Sequence, residues 1–378
     1  MIKVLILVDK FRGSLTAGEV SEAIATGLLS VSDSLQVVKV PLADGGEGTL
    51  EAVESEGTSR IMIESLDPLG RKILVPVLKM GDRVLIEMAK STGLHILSKE
   101  ERNPLYTSSY GLGLVIKQVV ESGVRNILIG IGGSATNDGG AGMLEALGFR
   151  FIGEEGRDVR LGKHIAGRDL INIRNVDDSG VNPLLKEISI EVASDVTNSL
   201  TGAKGASRVY GPQKGAGEHE IELLERGMQN FAKISANYLG NDLSAVPGSG
   251  AAGGVGFALA AYCGASLKSG WRVLFDFMDV ERSIMQANLV ITGEGRVDQQ
   301  SLSGKLLAGV GEICKRHKKP LWIICGDNHL SDKEIKNIGA STLFAISYIE
   351  PEKEVAIKNA REYLEKISAD AATYLKDI

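Results

Sequence analysis

Apolar runs of strand length that end in glycine-rich, acidic loops recur along this chain, and this pattern restricts it to alternating α/β architectures. Four of the five loops directly follow an apolar run, and the loops lie at residues 43–49, 130–140, 194–198, 248–256 and 292–298. Glycine allows a positive φ and a close approach of the backbone to a ligand. A loop that leads from a strand into a helix presents backbone N–H groups to an anion, and neighbouring carboxylates suit Mg²⁺. The pattern therefore indicates phosphate chemistry that involves Mg²⁺.

Strands alternate with helices at both ends of the chain. Continuous apolar strands, without polar alternation, are typical of a parallel sheet that is covered on both faces. The predicted strands are 2–8, 37–42, 288–292, 321–325 and 343–346, and the predicted helices are about 16–29, 47–55, 303–316, 332–338 and 352–376. Five strands in this alternation predict a flavodoxin-like, doubly wound parallel sheet.

The middle of the chain has a different pattern, which predicts a second α/β domain. Residues 60–90 alternate short β-like runs, and a further strand is predicted at 127–130. The predicted domains are a discontinuous flavodoxin-like domain, 1–60 plus 285–378, and a large inserted α/β domain, 61–284. A length of 378 residues is ordinary for two domains.

Composition and charge argue against several classes of function. The net charge of −6 makes nucleic acid an unsuitable partner, because nucleic-acid-binding surfaces are usually basic. Cys263, Cys314 and Cys325 lie in apolar stretches without regular spacing, so we expect buried thiols in a reducing cytoplasm. The apolar run at residues 2–8 is too short to span a membrane and lacks a signal-peptide cleavage pattern. We therefore expect a cytoplasmic protein without a membrane partner.

The chain does not satisfy either of two standard nucleotide-binding signatures. Residues 303–306 come nearest to the P-loop pattern but lack its upstream glycine and its hydroxyl residue. Residues 248–253 match the dinucleotide fingerprint, yet no convincing strand precedes them, so NAD binding is rejected. Neither signature supports nucleotide binding of the P-loop or Rossmann type.

The loop at residues 130–140 is the strongest candidate for anion binding. Its glycines and serine supply backbone and hydroxyl donors, and its Asn and Asp can cap the helix that starts near Gly139. A tight strand-to-helix turn would explain the capping residues, but a turn needs far less of this chemistry, so ligand binding is favoured. The residues concerned are Gly132, Gly133, Ser134, Asn137 and Asp138.

Asp195, which follows the strand at residues 188–193, is a second candidate. A carboxylate at the carboxyl end of a strand can accept a proton from a substrate hydroxyl or hold a metal. An Asx turn onto Thr197 explains the same residue about equally well. Downstream, Lys214 either neutralises phosphate or is a solvated surface charge.

Further charged residues follow the strands of the predicted flavodoxin-like domain. Acid, base and acid alternate after strand 288–292, and such a set at one strand end favours function. Asp44, just past strand 37–42, has a helix N-cap as its simpler explanation. The basic residues that follow strand 2–8 would lie at the same crevice edge. The candidates are Lys10, Arg12, Asp44, Gly45, Glu294, Arg296, Asp298 and Lys305.

In this order, the motifs resemble the bacterial glycerate kinase family, the type I glycerate kinases. The matching stretches cover nearly the whole chain and are residues 41–49, 130–140, 193–198, 210–216, 250–254 and 291–298. The resemblance implies two α/β domains with the active site in the cleft between them. It implies ATP-dependent phosphorylation of D-glycerate with Mg²⁺, with the 2-position favoured, and it leaves a homodimer open.

The resemblance also implies roles for the candidate residues. The expected catalytic residues are Asp195, Lys10 and Arg12, and the expected metal ligands are Asp195 and Asp298. The other candidates, in the loops at 43–49, 130–140 and 292–298 together with Lys214 and Lys305, are expected to bind substrate or phosphate.

Two stretches depart from the family's usual pattern. The family usually begins with Asp-Ser-Phe-Lys-Gly, where this chain has Asp9-Lys10-Phe11-Arg12-Gly13. It also has Asn-Pro-Leu where this chain has Asn198-Ser199-Leu200. A guanidinium is not equivalent to an ammonium at a phosphate site, so the first departure concerns substrate detail and not the class of reaction.

Two other classes of function compete with a kinase. An epimerase or lyase that acts on a small hydroxy acid could use the same acid-rich cleft without ATP. A non-catalytic protein that binds a small ligand would not need carboxylates at several strand ends, so the sequence argues against it. ADP release that depends on glycerate distinguishes the three classes.

Overall fold

The computed structural model describes residues 1–32, 34–41, 48–54, 57–302 and 306–377. The chain divides into two compact units. The first unit comprises Met1–Asp44, Glu51–Val53 and Leu274–Ile378, and the second comprises Gly45–Leu50 and Glu54–Val273. The domains predicted from the sequence, 1–60 plus 285–378 and 61–284, divide the chain at other positions.

Strands occur in both units and are numbered in chain order. They are β1 (Ile2–Val8), β2 (Leu35–Pro41), β3 (Ser59–Leu66), β4 (Lys72–Met80), β5 (Arg83–Glu87), β6 (Asn126–Gly130), β7 (Arg150–Ile152), β8 (Asn175–Asp177), β9 (Ser189–Ala193), β10 (Ser266–Lys268), β11 (Leu289–Gly293), β12 (Arg296–Val297), β13 (Leu321–Cys325), β14 (Asp327–Asn328) and β15 (Thr342–Ala345).

The α-helices are numbered in the same way. They are α1 (Ala17–Leu29), α2 (Thr49–Val53), α3 (Ala89–Thr92), α4 (Tyr110–Glu121), α5 (Ala141–Ala146), α6 (Ala206–Tyr210), α7 (Glu218–Leu239), α8 (Val255–Cys263), α9 (Gly270–Phe277), α10 (Val280–Gln286), α11 (Leu306–Arg316), α12 (Asp332–Ile338), α13 (Lys353–Lys358) and α14 (Ala360–Ala372). Across the described ranges, no helix combines the length and apolarity that crossing a membrane requires.

The first unit contains a five-stranded parallel sheet with the strand order β15-β13-β11-β1-β2. Numbered by position among these five strands, the order is 2-1-3-4-5 from one edge, which confirms the predicted flavodoxin-like sheet. Every residue of β11 and β13 is buried, and apart from Thr292 these strands contain no polar side chain. The strand order reverses between β1 and β11, and folds of this kind bind ligands outside the carboxyl ends of the strands at that point.

Helix α1 begins at a capping box and packs against α14. Glu19 N donates to Thr16 Oγ1 at 3.3 Å, and Thr16 N donates to Glu19 Oε2 at 2.8 Å. The prediction of a single helix at 352–376 is wrong. Helices α13 and α14 are separated at Asn359, whose φ of −109° and ψ of 22° are not helical.

Gly27 lies where α1 contacts α14. A Cβ atom at this position would overlap the backbone oxygen of Glu365 and would lie 2.7 Å from Ser368 Cβ. We expect Gly27→Ala to lower the free energy of unfolding by about 1–3 kcal/mol, because the two helices must separate. Gly18→Ala in the same helix meets nothing within 4 Å, so this control should be neutral or stabilising. Urea unfolding measures both variants, and equal stabilities would contradict a tight contact at Gly27.

The second unit contains a six-stranded sheet with the order β10-β9-β6-β5-β4-β3. Strands β5, β6, β9 and β10 are parallel, whereas β3 and β4 join the sheet in antiparallel fashion. The last residues of the four parallel strands, Glu87, Gly130, Ala193 and Lys268, are in register with one another. The loops that follow these strands therefore begin at one edge of the sheet.

Candidate functional site

The loop between β6 and α5, residues 131–140, begins at this carboxyl edge. Gly133 is exposed and has a φ of 72°, and its carbonyl oxygen accepts a hydrogen bond from Leu94 N at 2.8 Å. Two residues further, Ala135 N donates to Thr92 O at 2.9 Å. The loop is thus fixed to the segment that follows β5, while Gly133 faces solvent, as an anion-binding glycine requires.

Lys214 supports this loop from inside the protein. The residue is 2 % exposed, and its Nζ donates to Ser134 Oγ at 2.9 Å and to Thr136 O at 2.6 Å. Burial lowers the pKa of Lys214 to about 7, and the carboxylate of Asp138 acts in the opposite direction. Of the two explanations that the sequence offered, the solvated surface charge is therefore wrong.

Asp138 is fully buried and holds the first turns of two helices. Its Oδ2 accepts from Ser109 N and from Ser109 Oγ, both at 2.7 Å, at the start of α4. Its Oδ1 accepts from Gly140 N at 3.1 Å, next to α5. Burial raises the pKa of Asp138, and these hydrogen bonds oppose the rise. These contacts give Asp138 a positioning role in the loop, and its contact with phosphate stays a prediction.

The glycine-rich segment 250–254 packs against the same loop. Gly139 N donates to Gly253 O at 3.0 Å, and a Cβ atom at Gly254 would lie 2.6 Å from Gly139 Cα. These glycines allow two backbone segments to approach closely, so the segment that matches the dinucleotide fingerprint supports the loop at residues 131–140. Asn137 is also buried there, and its Nδ2 donates to Ser207 Oγ at 2.9 Å.

Asp195 follows β9 and contacts the start of α9. Its Oδ1 accepts from Ser269 Oγ at 2.8 Å and from Gly270 N at 3.0 Å. The residue is exposed, so its carboxylate also reaches solvent. These contacts give Asp195 the role of a helix cap, a structural explanation different from the Asx turn onto Thr197 that the sequence suggested.

In the first unit, the loops after β1 and β11 meet at the point where the strand order reverses. Asp9 N donates to Gly293 O at 3.0 Å, which extends the pairing of the two strands. Lys10 N donates to Asp9 Oδ1 at 2.7 Å. A Cβ atom at Gly295 would lie 3.2 Å from Phe11 Cα, so the second loop lies directly against the first.

The charged residues predicted after β11 lie together in this loop. Arg296 Nε is 3.4 Å from Asp298 Oδ2, and the two side chains are 61 % and 29 % exposed. Asp298 Oδ1 also accepts from Gln300 N at 2.9 Å. Glu294, directly after β11, is partly buried, and Arg12 is exposed in the turn that follows β1.

Two polar groups, one in each unit, were missed in the sequence analysis. Asp327, two residues after the end of β13, lies in β14 beside β12, and its Oδ2 is 2.7 Å from His329 Nε2. Burial alone would raise the pKa of Asp327, but hydrogen bonds from His329 and Ser347 lower it overall. An acid after a buried strand is the signal that identified Glu294, and it could have found Asp327. Ser109 ends a run of three hydroxyl residues before α4, which is a typical helix-start signal.

The predicted residues fall into two groups. One group belongs to the second unit and consists of Gly132, Gly133, Ser134, Asn137, Asp138, Asp195 and Lys214. The other belongs to the first unit and consists of Lys10, Arg12, Glu294, Arg296 and Asp298. Asp44, Gly45 and Lys305 lie outside the described residues.

The two expected metal ligands, Asp195 and Asp298, belong to different units. Within the ranges that the structure describes, no three or more His, Cys, Asp or Glu side chains group as a metal site. Mg²⁺ in phosphotransferases is usually held by one or two carboxylates together with phosphate oxygens and water. Asp195 is exposed and Asp298 is partly exposed, so each carboxylate is accessible from solvent, and their assignment as metal ligands stays a prediction.

Comparisons with a family model, with known sequences and with a solved structure all indicate the same family. A model of the glycerate kinase family matches residues 4–376. Glycerate 2-kinase of Escherichia coli (strain K12) is 44% identical over 329 residues, which cover 86% of this chain and 85% of that protein. Glycerate kinase of Bacillus subtilis (strain 168) is 38% identical over 378 residues, which cover 99% of this chain and 98% of that protein. A crystal structure assigned as glycerate kinase 2 from Salmonella typhimurium LT2 has a TM-score of 0.86 and 41% identity, and covers 100% of this chain and 98% of that one. This chain therefore belongs to the glycerate kinase family.

Proposed function

We propose that this protein transfers the γ-phosphoryl group of ATP to D-glycerate and that the product is 2-phosphoglycerate. Membership of the glycerate kinase family supports the reaction, and a relative named glycerate 2-kinase supports the position of the phosphate. The observation that carries the proposal is the exposed glycine loop with the buried amino group of Lys214 behind it. A cytoplasmic location is part of the proposal and is supported by three free cysteines, Cys263, Cys314 and Cys325.

Phosphoryl transfer depends mainly on positioning and on stabilising negative charge, and the loop at 131–140 is suited to both. The backbone N–H groups of Gly132 and Gly133 are the proposed donors to an anionic group. Ser134 Oγ accepts a hydrogen bond from Lys214 Nζ, so its own hydroxyl proton is free to be donated to the same anion. Protonated Lys214 adds positive potential behind these donors without contacting solvent.

Asp195 is the proposed acceptor of the proton that leaves the attacking hydroxyl of glycerate. Its Oδ1 is held by Ser269 and Gly270, which leaves the exposed carboxylate in a fixed orientation. Lys10 and Arg12 are proposed to neutralise the carboxylate and phosphate charges of the substrates. Bound Mg²⁺ would neutralise charge on the nucleotide phosphates. Asp298 is a proposed ligand of Mg²⁺, and Asp195 is the alternative ligand if it is not the proton acceptor.

Formation of ADP tests the proposal directly. The purified protein should form ADP from ATP only when D-glycerate is present, and EDTA should stop the reaction. Adding enolase without phosphoglycerate mutase should convert the product to phosphoenolpyruvate if the 2-hydroxyl is phosphorylated. Turnover of glycerate without ATP would favour an epimerase or lyase. ADP formation that does not depend on glycerate, or that continues in the presence of EDTA, would contradict the proposed kinase activity.

Gly133 offers a test of the anion-binding loop. Because its φ of 72° is left-handed, Gly133→Ala should cost about 1–2 kcal/mol of folding free energy and should also raise the KM of the anionic substrate at least ~10-fold. Gly81 is the matched control, since its φ is 60° and a Cβ atom there meets nothing within 4 Å. Gly81→Ala should show the stability loss alone. Equal KM values for the two variants would restrict Gly133 to shaping the turn.

A further inference from the structure

The loops at the carboxyl edge of the first unit's sheet form a continuous row. The loops after β1 and β11 meet where the strand order reverses, and backbone hydrogen bonds continue the contact toward β15. Asp327 N, after β13, donates to Gly295 O at 3.1 Å, and Ser347 N, after β15, donates to Gly326 O at 2.9 Å. Four loops therefore lie side by side in the order of their strands.

The side chains on this row change in character along it. Where the strand order reverses, basic residues that suit phosphate follow β1 and β11, namely Lys10, Arg12 and Arg296. After β13 comes Asp327, whose side chain is 47 % exposed, and after β15 comes Tyr348, which is 63 % exposed. Basic groups, a carboxylate and an aromatic ring thus follow one another along one edge of the sheet.

Tyr348 presents an aromatic ring whose position is restricted. Its hydroxyl accepts a hydrogen bond from Asn328 Nδ2 at 2.8 Å, and the neighbouring Ile349 is also exposed, at 42 %. Nucleobases stack on rings of this kind, because every base has an apolar π-face. An exposed ring at the end of a row of polar loops is therefore suited to a nucleotide base.

Asp327 can accept a hydrogen bond from a ribose hydroxyl. Its carboxylate already accepts from His329, from Ser347 and from the backbone of Asn328. A carboxylate offers about four acceptor positions, so one remains for a ligand. An acidic side chain on the ribose hydroxyl is the arrangement by which doubly wound folds bind dinucleotides.

We propose that the nucleoside of ATP lies along this row, with its phosphates at the basic loops, its ribose on Asp327 and its adenine stacked on Tyr348. This position rests on the proposed use of ATP as phosphoryl donor. Neighbouring strands are about 4.8 Å apart, so the loop after β15 lies about 12 Å from the gap between β1 and β11. Adenosine is of comparable length, whereas glycerate is much shorter and has no ring. The row therefore fits the nucleotide and not the acceptor.

Calorimetric binding of ATP and of inorganic tripolyphosphate, without glycerate, tests the stacking. Tyr348→Ala should weaken ATP binding at least ~5-fold and leave tripolyphosphate binding unchanged, because tripolyphosphate has no base. Tyr348→Phe keeps the ring and should bind ATP nearly as the wild type does. Tyr374→Ala is the matched control and should have no effect, since Tyr374 is 55 % exposed in the same unit but follows α14 and not a strand of the row.

Deoxynucleotides test the ribose contact. Of 2′-deoxy-ATP and 3′-deoxy-ATP, at least one should bind the wild type more weakly than ATP, and Asp327→Ala should remove the difference. Circular dichroism should confirm that each variant is folded. A wild type that binds both deoxynucleotides as tightly as ATP would overturn the ribose contact.

Two further outcomes separate this position from the proposed function. ATP binding that Tyr348→Ala leaves unchanged, or that falls together with tripolyphosphate binding, would overturn the position of the adenine while the kinase activity stands. A wild type that binds no ATP would overturn the proposed function, and the position of the nucleoside with it.

Discussion

Replacement of Lys214 by methionine is expected to lower kcat/KM for glycerate phosphorylation at least ~100-fold, the usual scale for loss of a charge-stabilising donor. Methionine fills a similar volume but cannot donate to Ser134 Oγ and Thr136 O, which Lys214 Nζ contacts at 2.9 and 2.6 Å. The variant removes a buried charge, but it leaves Thr136 O without its donor and buried Asp138 without the neighbouring cation, so we expect a folded protein with a lower melting temperature at pH 7. Steady-state kinetics and thermal unfolding of the same preparations measure both effects.

The pH dependence distinguishes the charge of Lys214 from its bulk. Burial lowers its pKa from the ordinary value of 10.5 to about 7. Between these values the unfolded chain binds a proton that the folded chain does not, so this residue makes the free energy of unfolding rise with pH. The stability of the wild type relative to Lys214→Met should therefore rise from pH 7 to 10 and stay constant below pH 6. If binding needs the protonated amine, kcat/KM of the wild type should fall above about pH 7.

Two outcomes would contradict this role for Lys214. A variant with near-normal kcat/KM would show that the buried amino group does not assist binding or transfer. A variant that loses activity together with its fold would show that the hydrogen bonds to the loop are structural. In that case the pH series still reports whether the lysine is buried with a lowered pKa.

Asp195→Asn is expected to lower kcat at least ~100-fold, the usual scale for loss of a general base. The Oδ1 of Asp195 accepts from Ser269 Oγ and Gly270 N, and asparagine caps helices about as well as aspartate. The substitution therefore removes the basic carboxylate and keeps the cap, so the stability should hardly change. Kinetics at saturating glycerate and ATP measure the loss.

Asp195→Ala is the matched control because it removes the cap as well. It should lose the same activity and, in addition, about 1 kcal/mol of folding free energy. If Asp195 serves only as a cap, asparagine should retain a near-normal kcat while alanine destabilises the protein. That pattern would restrict Asp195 to its structural role.

Much of the fold of the first unit could be predicted because its signals are local. The apolar run at residues 2–8 coincides with β1, and the run at 321–325 coincides with β13. Strands buried on both faces are mostly apolar without alternation, so their sequences alone indicate a parallel sheet. The helix predicted at 352–376 failed because a break at Asn359 depends on backbone angles that side-chain periodicity does not encode.

The candidate site was predicted less completely, because burial and partners depend on residues that are distant in the chain. Lys214 lies 80 residues from Ser134, and its sequence neighbours gave no sign that its amino group is buried. The glycines at 253 and 254 resembled a nucleotide fingerprint, yet they allow contact with Gly139. Asp327 carried the same signal as Glu294, an acid after a buried strand, and was overlooked.

The sequence by itself determined the residue types at the loops, the alternation of strands and helices, and the resemblance to a kinase family. These features depend on local composition, on spacing and on short motifs. Only the tertiary structure decided which polar groups face solvent and which support the loop. Hydrogen-bond partners and desolvation arise only when distant segments pack. Packing buries the Asp138 carboxylate, which accepts hydrogen bonds at the starts of two helices, and it lowers the pKa of the buried Lys214 amine.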